Sequence, residues 1–327
     1  MMIDIPGLFP FQIYHIFLLI ILIISLVLLK NYFNGGICKF KIDLSSKIII
    51  ITGANKGLGK QVAHELAKMN GTIIMACRNI EKATTAKEEI LNLSPSSKID
   101  IIQLDLSDLS SVSNFANTFK KKYNRLDILI NNAGMICQTR KVTKDGLEMI
   151  MGTNYFGPFL LTNLLLDMLK ATKLSRILNL SSIAHNYGYL NLEDPNFEKY
   201  FDLNRVYGGS KLAMIMFTNE LGQRLEGSNV KVCCLHPGVV RTEIVTDGMV
   251  HFLKYLFVPL FFPLIFLMTK NCTQGIQTIL HCALVPHENL ENGKYYSDCK
   301  VKSARSIAQD KIMSKKLWEI SEKMVKY

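Results

Sequence analysis

The sequence lacks closely spaced cysteine pairs, internal repeats and any surplus of acidic residues. Its 327 residues include 8 cysteines, and no two of them form a C-x-x-C pair. In a chain long enough to bury its own core, scattered cysteines are typical of reduced thiols on the cytosolic side of a membrane. We therefore expect neither a disulfide scaffold nor a metal site. The 9 prolines, 20 glycines and 49% hydrophobic residues also exclude disorder and collagen-like repeats.

Charge and hydropathy both depart from those of an ordinary soluble protein. The 27 Asp and Glu residues are outnumbered by 38 Lys and Arg residues, which gives a net charge of +11. Such a charge favours an anionic partner, such as a membrane face or a phosphorylated cofactor. The positive charge is spread out without an RNA- or DNA-binding module, so we expect no nucleic acid partner. The mean hydropathy of +0.18 predicts apolar surface that meets lipid.

One long uncharged run lies near the N-terminus. Residues 10–29 contain no Asp, Glu, Lys or Arg, and about 20 helical residues span the hydrocarbon core of a membrane. A cleaved signal peptide would need a basic segment before the run, where only Asp4 is charged, and a buried helix would normally keep a polar face. We therefore predict a single transmembrane anchor over residues 10–29.

The residues after this run set the predicted orientation. A basic linker over residues 30–46 carries three lysines against the single acidic residue Asp43. By the positive-inside rule, the short N-terminus over residues 1–9 is expected in the lumen and everything after Lys30 in the cytosol. We expect the endoplasmic reticulum membrane, although the anchor alone leaves the mitochondrial outer membrane and the lipid droplet open.

Residues 47–327 are predicted to form one doubly wound α/β domain. Short apolar runs alternate with segments whose apolar residues repeat at helical spacing, which is typical of a parallel sheet with helices on both faces. The strand candidates are 48–52, 72–77, 100–106, 126–131, 176–180 and 230–235; the helix candidates are 58–67, 81–93, 110–123, 147–170 and 207–226. The expected fold class is α/β: a single parallel-sheet Rossmann domain behind an N-terminal transmembrane helix.

A glycine-rich turn joins the first predicted strand to the first predicted helix. Glycines at this place allow a tight turn and a close approach to a pyrophosphate, to which the helix N-terminus donates N–H groups. A turn without a ligand is the alternative, but the strand–turn–helix context favours phosphate binding. The predicted contacts in this turn are Gly53, Asn55, Lys56, Gly57, Leu58 and Gly59.

The end of the second predicted strand lacks a carboxylate. Folds that bind NAD place Asp or Glu there against the ribose hydroxyls, whereas this chain has Cys77 and Arg78. An arginine pairs well with a 2′-phosphate, which a carboxylate would repel, and Lys56 can reach the same group. The alternative is that both are ordinary solvated charges. We predict NADP(H) as the cofactor.

Tyr207 and Lys211 are spaced to lie on one face of a predicted helix. A phenol with an ordinary pKa of about 10 is a poor acid or base at neutral pH, but nearby positive charge lowers that pKa. Ser182 follows the strand candidate 176–180, at the edge where doubly wound sheets bind ligands. A Tyr-x-x-x-Lys pair alone is common by chance.

Taken together, these residues resemble the short-chain dehydrogenase/reductase family over nearly all of the chain after residue 47. The elements that carry the resemblance occur in the order of that family: the glycine turn, 131–134 (NNAG), Asn154, Ser182, Tyr207, Lys211 and 237–238 (PG). Further segments are similar to its membrane-bound, NADP(H)-dependent retinol dehydrogenase branch, namely 76–78, 104–107, 181–185, 236–243 and 296–299. Gly208, where serine is common, and Met214, where the branch often has asparagine, depart from the pattern.

The resemblance implies a role for each site residue. Tyr207 is implied as the acid in carbonyl reduction and the base in alcohol oxidation, with Ser182 hydrogen-bonded to the substrate oxygen and to Tyr207. Lys211 is implied to hold the nicotinamide ribose and to lower the Tyr207 pKa, and Asn154 to position a proton-relaying water. The other implied cofactor contacts are Asp105, Leu106, Asn132, Ala133, Gly134, Pro237, Gly238, Val240 and Thr242.

A second apolar stretch, over residues 249–268, carries two prolines and Lys254. A regular second span is disfavoured because each proline removes a helix hydrogen bond. The resemblance places a mobile substrate-binding segment here, so we expect a lipid-facing apolar flap over residues 243–270; a structural loop is the other alternative.

The basic tail residues either touch lipid headgroups or form a solvated helix face: Lys311, Lys315, Lys316, Lys323 and Lys326.

The expected function is an NADP(H)-dependent retinol dehydrogenase or carbonyl reductase that interconverts retinal and retinol. Reduction of all-trans-retinal is the expected direction in NADPH-rich cytosol. The alternatives are a reductase of steroid ketones or lipid-derived aldehydes, and a catalytically inactive, membrane-bound cofactor-binding scaffold. The scaffold is disfavoured because nothing structural requires all four catalytic candidates. The expected partners are a lipophilic aldehyde or alcohol and the lipid bilayer, and a homodimer is left open.

Overall fold

The computed structural model describes residues 8–241 and 266–326, with the backbone alone for residues 8–13. Thr242 and most of the predicted flap therefore lie outside the described residues. The first element is helix α1 (Leu8–Asn34). Its stretch Tyr14–Asn34 has a hydropathy of 2.5, is not buried by the protein, and is long and apolar enough to cross a membrane. The predicted N-terminal apolar helix is confirmed, and it extends beyond 10–29 at both ends.

Within the described residues, eight strands form one sheet in the order β3-β2-β1-β4-β5-β6-β7-β8. Their bounds are β1 (Ile48–Thr52), β2 (Thr72–Cys77), β3 (Lys98–Gln103), β4 (Ile128–Asn131), β5 (Arg176–Leu180), β6 (Lys231–His236), β7 (Lys294–Ser297) and β8 (Lys300–Val301). The first seven are parallel, and β8 pairs antiparallel to β7. Because β1 lies between β2 and β4, the winding direction reverses there, at the place where such sheets bind ligands.

Helices cover both faces of this sheet. After α1 they are α2 (Gly57–Lys68), α3 (Ile80–Leu93), α4 (Leu109–Lys122), α5 (Met149–Met151), α6 (Gly157–Ala171), α7 (Leu203–Arg224), α8 (Cys272–Gly275), α9 (Gln277–Leu284) and α10 (Lys311–Val325). A π-helical turn (Gly152–Phe156) joins α5 to α6. The five tail lysines are exposed, and the opposite face of α10 is buried.

Strand residues alternate between two hydrophobic cores, one on each side of the sheet. Ile50 and Leu129 belong to the core that includes Phe115 of α4 and Phe159 of α6. Ile49 and Ile51 instead pack with residues of α2, α3 and α9 on the other face. Burial on both faces explains why the central strands consist of unbroken apolar runs. The doubly wound parallel sheet predicted from those runs is confirmed.

The strand boundaries differ from the predictions mainly at β3, which ends at Gln103 rather than at residue 106. The backbone turns there because the carboxylate of Asp105 accepts hydrogen bonds from the N–H and the hydroxyl of Ser107. Asp105 thereby leaves the strand ladder and reaches the ligand-binding edge. Strands β7 and β8 were not predicted, since they have only four and two residues.

The segment predicted as a linker is packed against the domain. Leu44 is 2% exposed and its N–H donates to the carbonyl of Met69 at 2.7 Å. The N–H of Cys38 donates to Oε1 of Gln277 at 3.0 Å. These contacts attach the end of α1 to the core on the α2 and α9 side of the sheet.

Candidate active site

The glycine turn after β1 is shaped by close backbone contacts. Gly53 has a φ of +67°, which favours glycine, and a Cβ built there would lie 3.1 Å from Cα of Ala133. A Cβ on Gly59 would collide with the carbonyl oxygen of Gly53. Helix α2 starts after Lys56, whose side chain forms no capping hydrogen bond. A helix N-terminus beside a glycine turn fits a phosphate group.

Thr52 joins the ends of two strands beneath this turn. Its hydroxyl oxygen accepts hydrogen bonds from the N–H groups of Asn132 and Ala133, both at 2.9 Å. The side-chain amide of Asn132 donates in turn to the carbonyl of Thr52 at 2.7 Å. Thr52 is fully buried. Thr52 was not among the predicted site residues, because its only signal in the sequence is its position at the end of a strand.

Arg78 follows β2 at the rim of the same cavity. Its side chain is 71% exposed, and Nη1 lies 3.9 Å from the Asp105 carboxylate. Lys56 also lines this cavity. The arrangement puts two cations near the place where a dinucleotide fold holds the adenosine ribose.

Tyr207 and Lys211 lie one turn apart on α7, beside the end of β5. The ammonium of Lys211 is 5.8 Å from the centre of the Tyr207 ring and donates to the carbonyl of Leu180 at 3.1 Å. The hydroxyl of Ser182 forms a hydrogen bond with the phenol of Tyr207. The structure thus brings the serine, the tyrosine and the lysine together as expected.

Burial dominates the electrostatics of this group. It raises the pKa of Tyr207 above its ordinary value, while the hydrogen bond from Ser182 acts in the opposite direction. Burial also lowers the pKa of Lys211 to about 8. The lowering of the Tyr207 pKa by Lys211 stays a prediction, which concerns the phenol beside an oxidised, positively charged nicotinamide.

Asn154 lies beneath the cavity wall, within the π-helical turn, and is 1% exposed. Its Oδ1 accepts from the N–H of Met135 at 2.8 Å, and its Nδ2 donates to the carbonyl of Met135 at 3.0 Å and to the Ser210 hydroxyl at 3.2 Å. The side chain therefore fixes the backbone of a wall residue. π-Helical turns are frequent at functional sites. The predicted role of Asn154 in holding a water stays a prediction.

His185 is hydrogen-bonded to the backbone of Ser182 and was not among the predicted site residues. Its Nδ1 lies 2.7 Å from the carbonyl oxygen of Ser182. The ring is 3% exposed, and burial lowers its pKa. The imidazole is therefore uncharged at neutral pH and can hold Ser182 without adding charge to the site. The sequence feature that could have indicated this contact is the position of His185, three residues after Ser182.

The two departures from the family pattern have different structural settings. A Cβ on Gly208 would lie 2.6 Å from the carbonyl oxygen of Ala184 and 2.6 Å from Cα of Gly188. Glycine at 208 therefore lets α7 approach the segment that follows Ser182. Met214 is buried in the hydrophobic core, 1% exposed.

One cavity of about 820 Å³ at the carboxyl edge of the sheet collects the predicted site residues. These are Gly53, Asn55, Lys56, Gly57, Leu58, Gly59, Arg78, Asp105, Leu106, Asn132, Ala133, Gly134, Ser182, Tyr207, Lys211, Pro237, Gly238 and Val240. The two exceptions are Asn154, beneath the wall, and Thr242, outside the described residues. The cavity is also lined by residues that were not predicted, including Met135, Ile136, Thr153, Tyr187, Leu203 and Asn204. Its volume is in the range that holds a small molecule or a cofactor.

This arrangement can transfer a proton at a substrate oxygen, with a phenol as acid or base and a hydroxyl as second hydrogen-bond partner. The N-terminus of α2 and the glycine turn fit the phosphates of a dinucleotide at the other end of the cavity. Among residues 8–241 and 266–326, no cluster of three or more His, Cys, Asp or Glu side chains is placed to hold a metal ion.

Known proteins are similar to this chain in both sequence and fold. A family model described as short chain dehydrogenase matches residues 47–249. Retinol dehydrogenase 13 of Mus musculus is 42% identical over 305 residues, covering 91% of this chain and 90% of that protein. Retinol dehydrogenase 12 of Homo sapiens is 40% identical over 295 residues, covering 90% of each. A solved structure of an uncharacterized protein from Mycobacterium paratuberculosis is 32% identical, with a TM-score of 0.72 over 89% of this chain and 98% of that chain.

Proposed function

Because this chain belongs to the short-chain dehydrogenase family, and within it to the retinol dehydrogenase branch, we propose that it interconverts retinal and retinol with NADP(H). It is an oxidoreductase that uses a nicotinamide cofactor. The single observation that carries the proposed chemistry is the meeting of Ser182, Tyr207 and Lys211 at one end of the cavity whose other end is the glycine turn.

The preference for NADP(H) is supported by the charges around the cavity rim. Arg78 and Lys56 can both pair with a 2′-phosphate, and the residue that ends β2 is Cys77 rather than an acid. The Asp105 carboxylate accepts a hydrogen bond from the Ser107 hydroxyl and lies 3.9 Å from Nη1 of Arg78. It can therefore orient the guanidinium. The phosphates would lie against the first turn of α2.

The nicotinamide, when bound, supplies or accepts the hydride. The side chains of the protein transfer the proton and stabilise the developing charge. In reduction, Tyr207 donates its proton to the carbonyl oxygen as negative charge develops there, and Ser182 donates a second hydrogen bond to that oxygen. Lys211 holds positive charge near the phenolate that remains, and the buried position of both groups strengthens this interaction.

A retinoid substrate is supported by the relatives and by the cavity. The similar proteins from Mus musculus and Homo sapiens are named retinol dehydrogenases. The wall near Tyr207 includes the apolar side chains of Ile183, Leu203 and Val239, which suit a long hydrocarbon. In NADPH-rich cytosol the proposed direction is reduction of all-trans-retinal.

We also propose that α1 fixes the protein to the endoplasmic reticulum membrane with the catalytic domain in the cytosol. The support is the exposed apolar stretch Tyr14–Asn34 and the basic residues that follow it. A homodimer stays an open part of the proposal.

The test of the function uses the full-length chain in microsomes. We expect retinol to form from all-trans-retinal with NADPH, and Tyr207→Phe to reduce the rate at least 10³-fold, an estimate of roughly the size that acid–base catalysis contributes. NADPH binding to the variant, measured by quenching of protein fluorescence, should be unchanged. NADPH binding by the wild type without retinol formation would instead support a different carbonyl substrate or the inactive scaffold.

A separate experiment tests the cofactor preference. Arg78→Glu should raise the KM for NADPH roughly 100-fold while changing the KM for NADH much less, since a carboxylate repels the 2′-phosphate but accepts ribose hydroxyls. Lys82→Glu on α3, which changes an exposed lysine by the same charge, is the control. Equal use of NADPH and NADH by the wild type would contradict the assignment.

A further inference from the structure

The last part of α1 is fastened to the catalytic domain by Lys30. Its ammonium donates hydrogen bonds to the carbonyl oxygens of Phe266 at 2.8 Å and Thr269 at 2.7 Å. It also lies 5.1 Å from the centre of the Phe266 ring. A cation that holds two backbone carbonyls of one short segment fixes that segment against the helix end.

The segment held by Lys30 is continuous with the wall of the cavity. The N–H of Lys270 donates to the carbonyl of Val239 at 2.8 Å, and the N–H of Arg241 donates to the carbonyl of Lys270 at 3.0 Å. Val239 and Arg241 line the cavity. The Arg241 guanidinium lies 4.5 Å from the centre of the Phe266 ring, on which Lys30 also rests. The segment 266–270 therefore lies between the end of α1 and the wall of the cavity, and contacts both.

A second contact strengthens this connection. Lys270 is almost fully buried and pairs with Asp298 at 2.8 Å. A Cβ on Gly35 would overlap the Asp298 carboxylate, so the residues after α1 run directly over this ion pair. On its other side the Lys270 side chain touches Gly238, where a Cβ would lie 2.7 Å from its Cε. The helix end, the ion pair and the cavity wall are therefore in contact.

Large apolar side chains are exposed around this part of the cavity. We define the apolar rim as Ile183, Tyr187, Val239, Phe266 and Met268, which are 44–55% exposed. The first three line the cavity, and the last two lie on the segment that Lys30 holds. The rim is thus continuous with an apolar helix that is long enough to cross a membrane. A lipid surface is the partner that matches both.

We propose that the apolar rim is a lipid-binding surface, and that Lys30 is a positioning residue that holds it against the bilayer. Building on the proposed function, this assigns the route of the substrate: a membrane-dissolved aldehyde enters the cavity from lipid without crossing water. Lys30 acts on capture of the substrate and leaves the chemistry at Tyr207 unchanged.

The test compares three full-length variants in phosphatidylcholine vesicles. Lys30→Met removes the ammonium, Lys30→Arg keeps a donor, and Lys39→Met removes an exposed lysine nearby as the matched control. For retinal dissolved in the vesicles, Lys30→Met should raise KM about fivefold, an estimate based on the loss of one to two hydrogen bonds. Its kcat and its KM for NADPH should not change. Lys30→Arg should keep the KM for retinal close to the wild-type value, because it keeps a hydrogen-bond donor. Lys39→Met should have the same KM as the wild type.

A second readout does not depend on turnover. Ile183→Trp adds a fluorophore to the rim, whereas the natural Trp318 is buried. In vesicles with brominated acyl chains we expect strong quenching of the introduced tryptophan, reduced at least twofold when Lys30→Met is added. Absence of quenching, or equal quenching with Lys30→Met and Lys39→Met, would overturn the proposal. If none of the proteins reduces retinal, the proposed function fails while the quenching still decides the role of the rim.

Discussion

At the scale of single residues, burial of the charge on Lys211 lowers the stability of the fold, at a residue with a proposed catalytic role. Only 5% of Lys211 is exposed, and burial lowers its pKa to about 8 from an ordinary value of 10.5. Below pH 8 the folded protein must therefore hold a charge that the unfolded chain holds more easily in water. Its hydrogen bond to the carbonyl of Leu180 offsets part of this cost. The proposed roles in holding the ribose and stabilising a phenolate explain why such a lysine is useful.

We predict that Lys211→Met abolishes turnover and stabilises the fold at neutral pH. The shift corresponds to about 3 kcal/mol at pH 7, of which the lost hydrogen bond to Leu180 returns about 1 kcal/mol. Between pH 8 and 10.5 the unfolded state binds more protons than the folded state, so the wild type gains stability as pH rises. The difference in Tm, followed by Trp318 fluorescence, should therefore be largest at pH 7 and shrink toward pH 10. A lower Tm for the variant at pH 7 would contradict this account.

At the scale of elements, the site depends on the contact of α7 with the chain after Ser182. Gly208 on α7 packs against Gly188 and the carbonyl of Ala184 with no space for a Cβ. The same contact sets the distance between Ser182, before this segment, and Tyr207, next to Gly208. The π-helical turn plays a similar part by placing Asn154 on the backbone of Met135. Gly208 thus positions the proposed catalytic residues by backbone packing, whereas Asn154 holds the cavity wall through side-chain hydrogen bonds.

We predict that Gly208→Ser separates these elements. Overpacking of this kind costs about 1–3 kcal/mol. The Tm should fall by several degrees, and kcat should fall more than the affinity for NADPH, because most of the predicted cofactor contacts lie outside α7. Gln223→Ser, at an exposed position on the same helix, is the control. Unchanged kcat with a lowered Tm would show that α7 can shift without moving Tyr207.

At the scale of the whole molecule, the segment between α1 and β1 is part of the domain. Leu44 is buried, Cys38 is hydrogen-bonded to Gln277, and the ring of Phe40 contacts His281 at 5.6 Å between ring centres. These contacts fix where the end of α1 meets the body. A flexible tether would leave the cavity free to turn away from a membrane, whereas this packing holds one orientation.

We predict that the catalytic domain is more stable when this segment is kept. A chain that starts at Gly35 should have a higher Tm than one that starts at Lys47, because burial of a leucine such as Leu44 alone contributes about 2 kcal/mol. Both truncated chains should bind NADPH equally, which serves as the control for folding. Equal Tm values would show that the segment contributes nothing to the domain.

The fold class could be predicted from the sequence because it depends on local signals, and so could the meeting of most predicted site residues at one cavity. Apolar runs between helical segments specify a buried parallel sheet, and the carboxyl ends of such strands must meet at one edge, so Gly53, Arg78 and Ser182, which follow three of the strands, converge. The short strands β7 and β8 carried no such signal. The contacts between distant segments can be seen only in the three-dimensional structure. The hydroxyl of Thr52 under Asn132, the imidazole of His185 behind Ser182, and the ammonium of Lys30 on Phe266 depend on distances that no local pattern encodes.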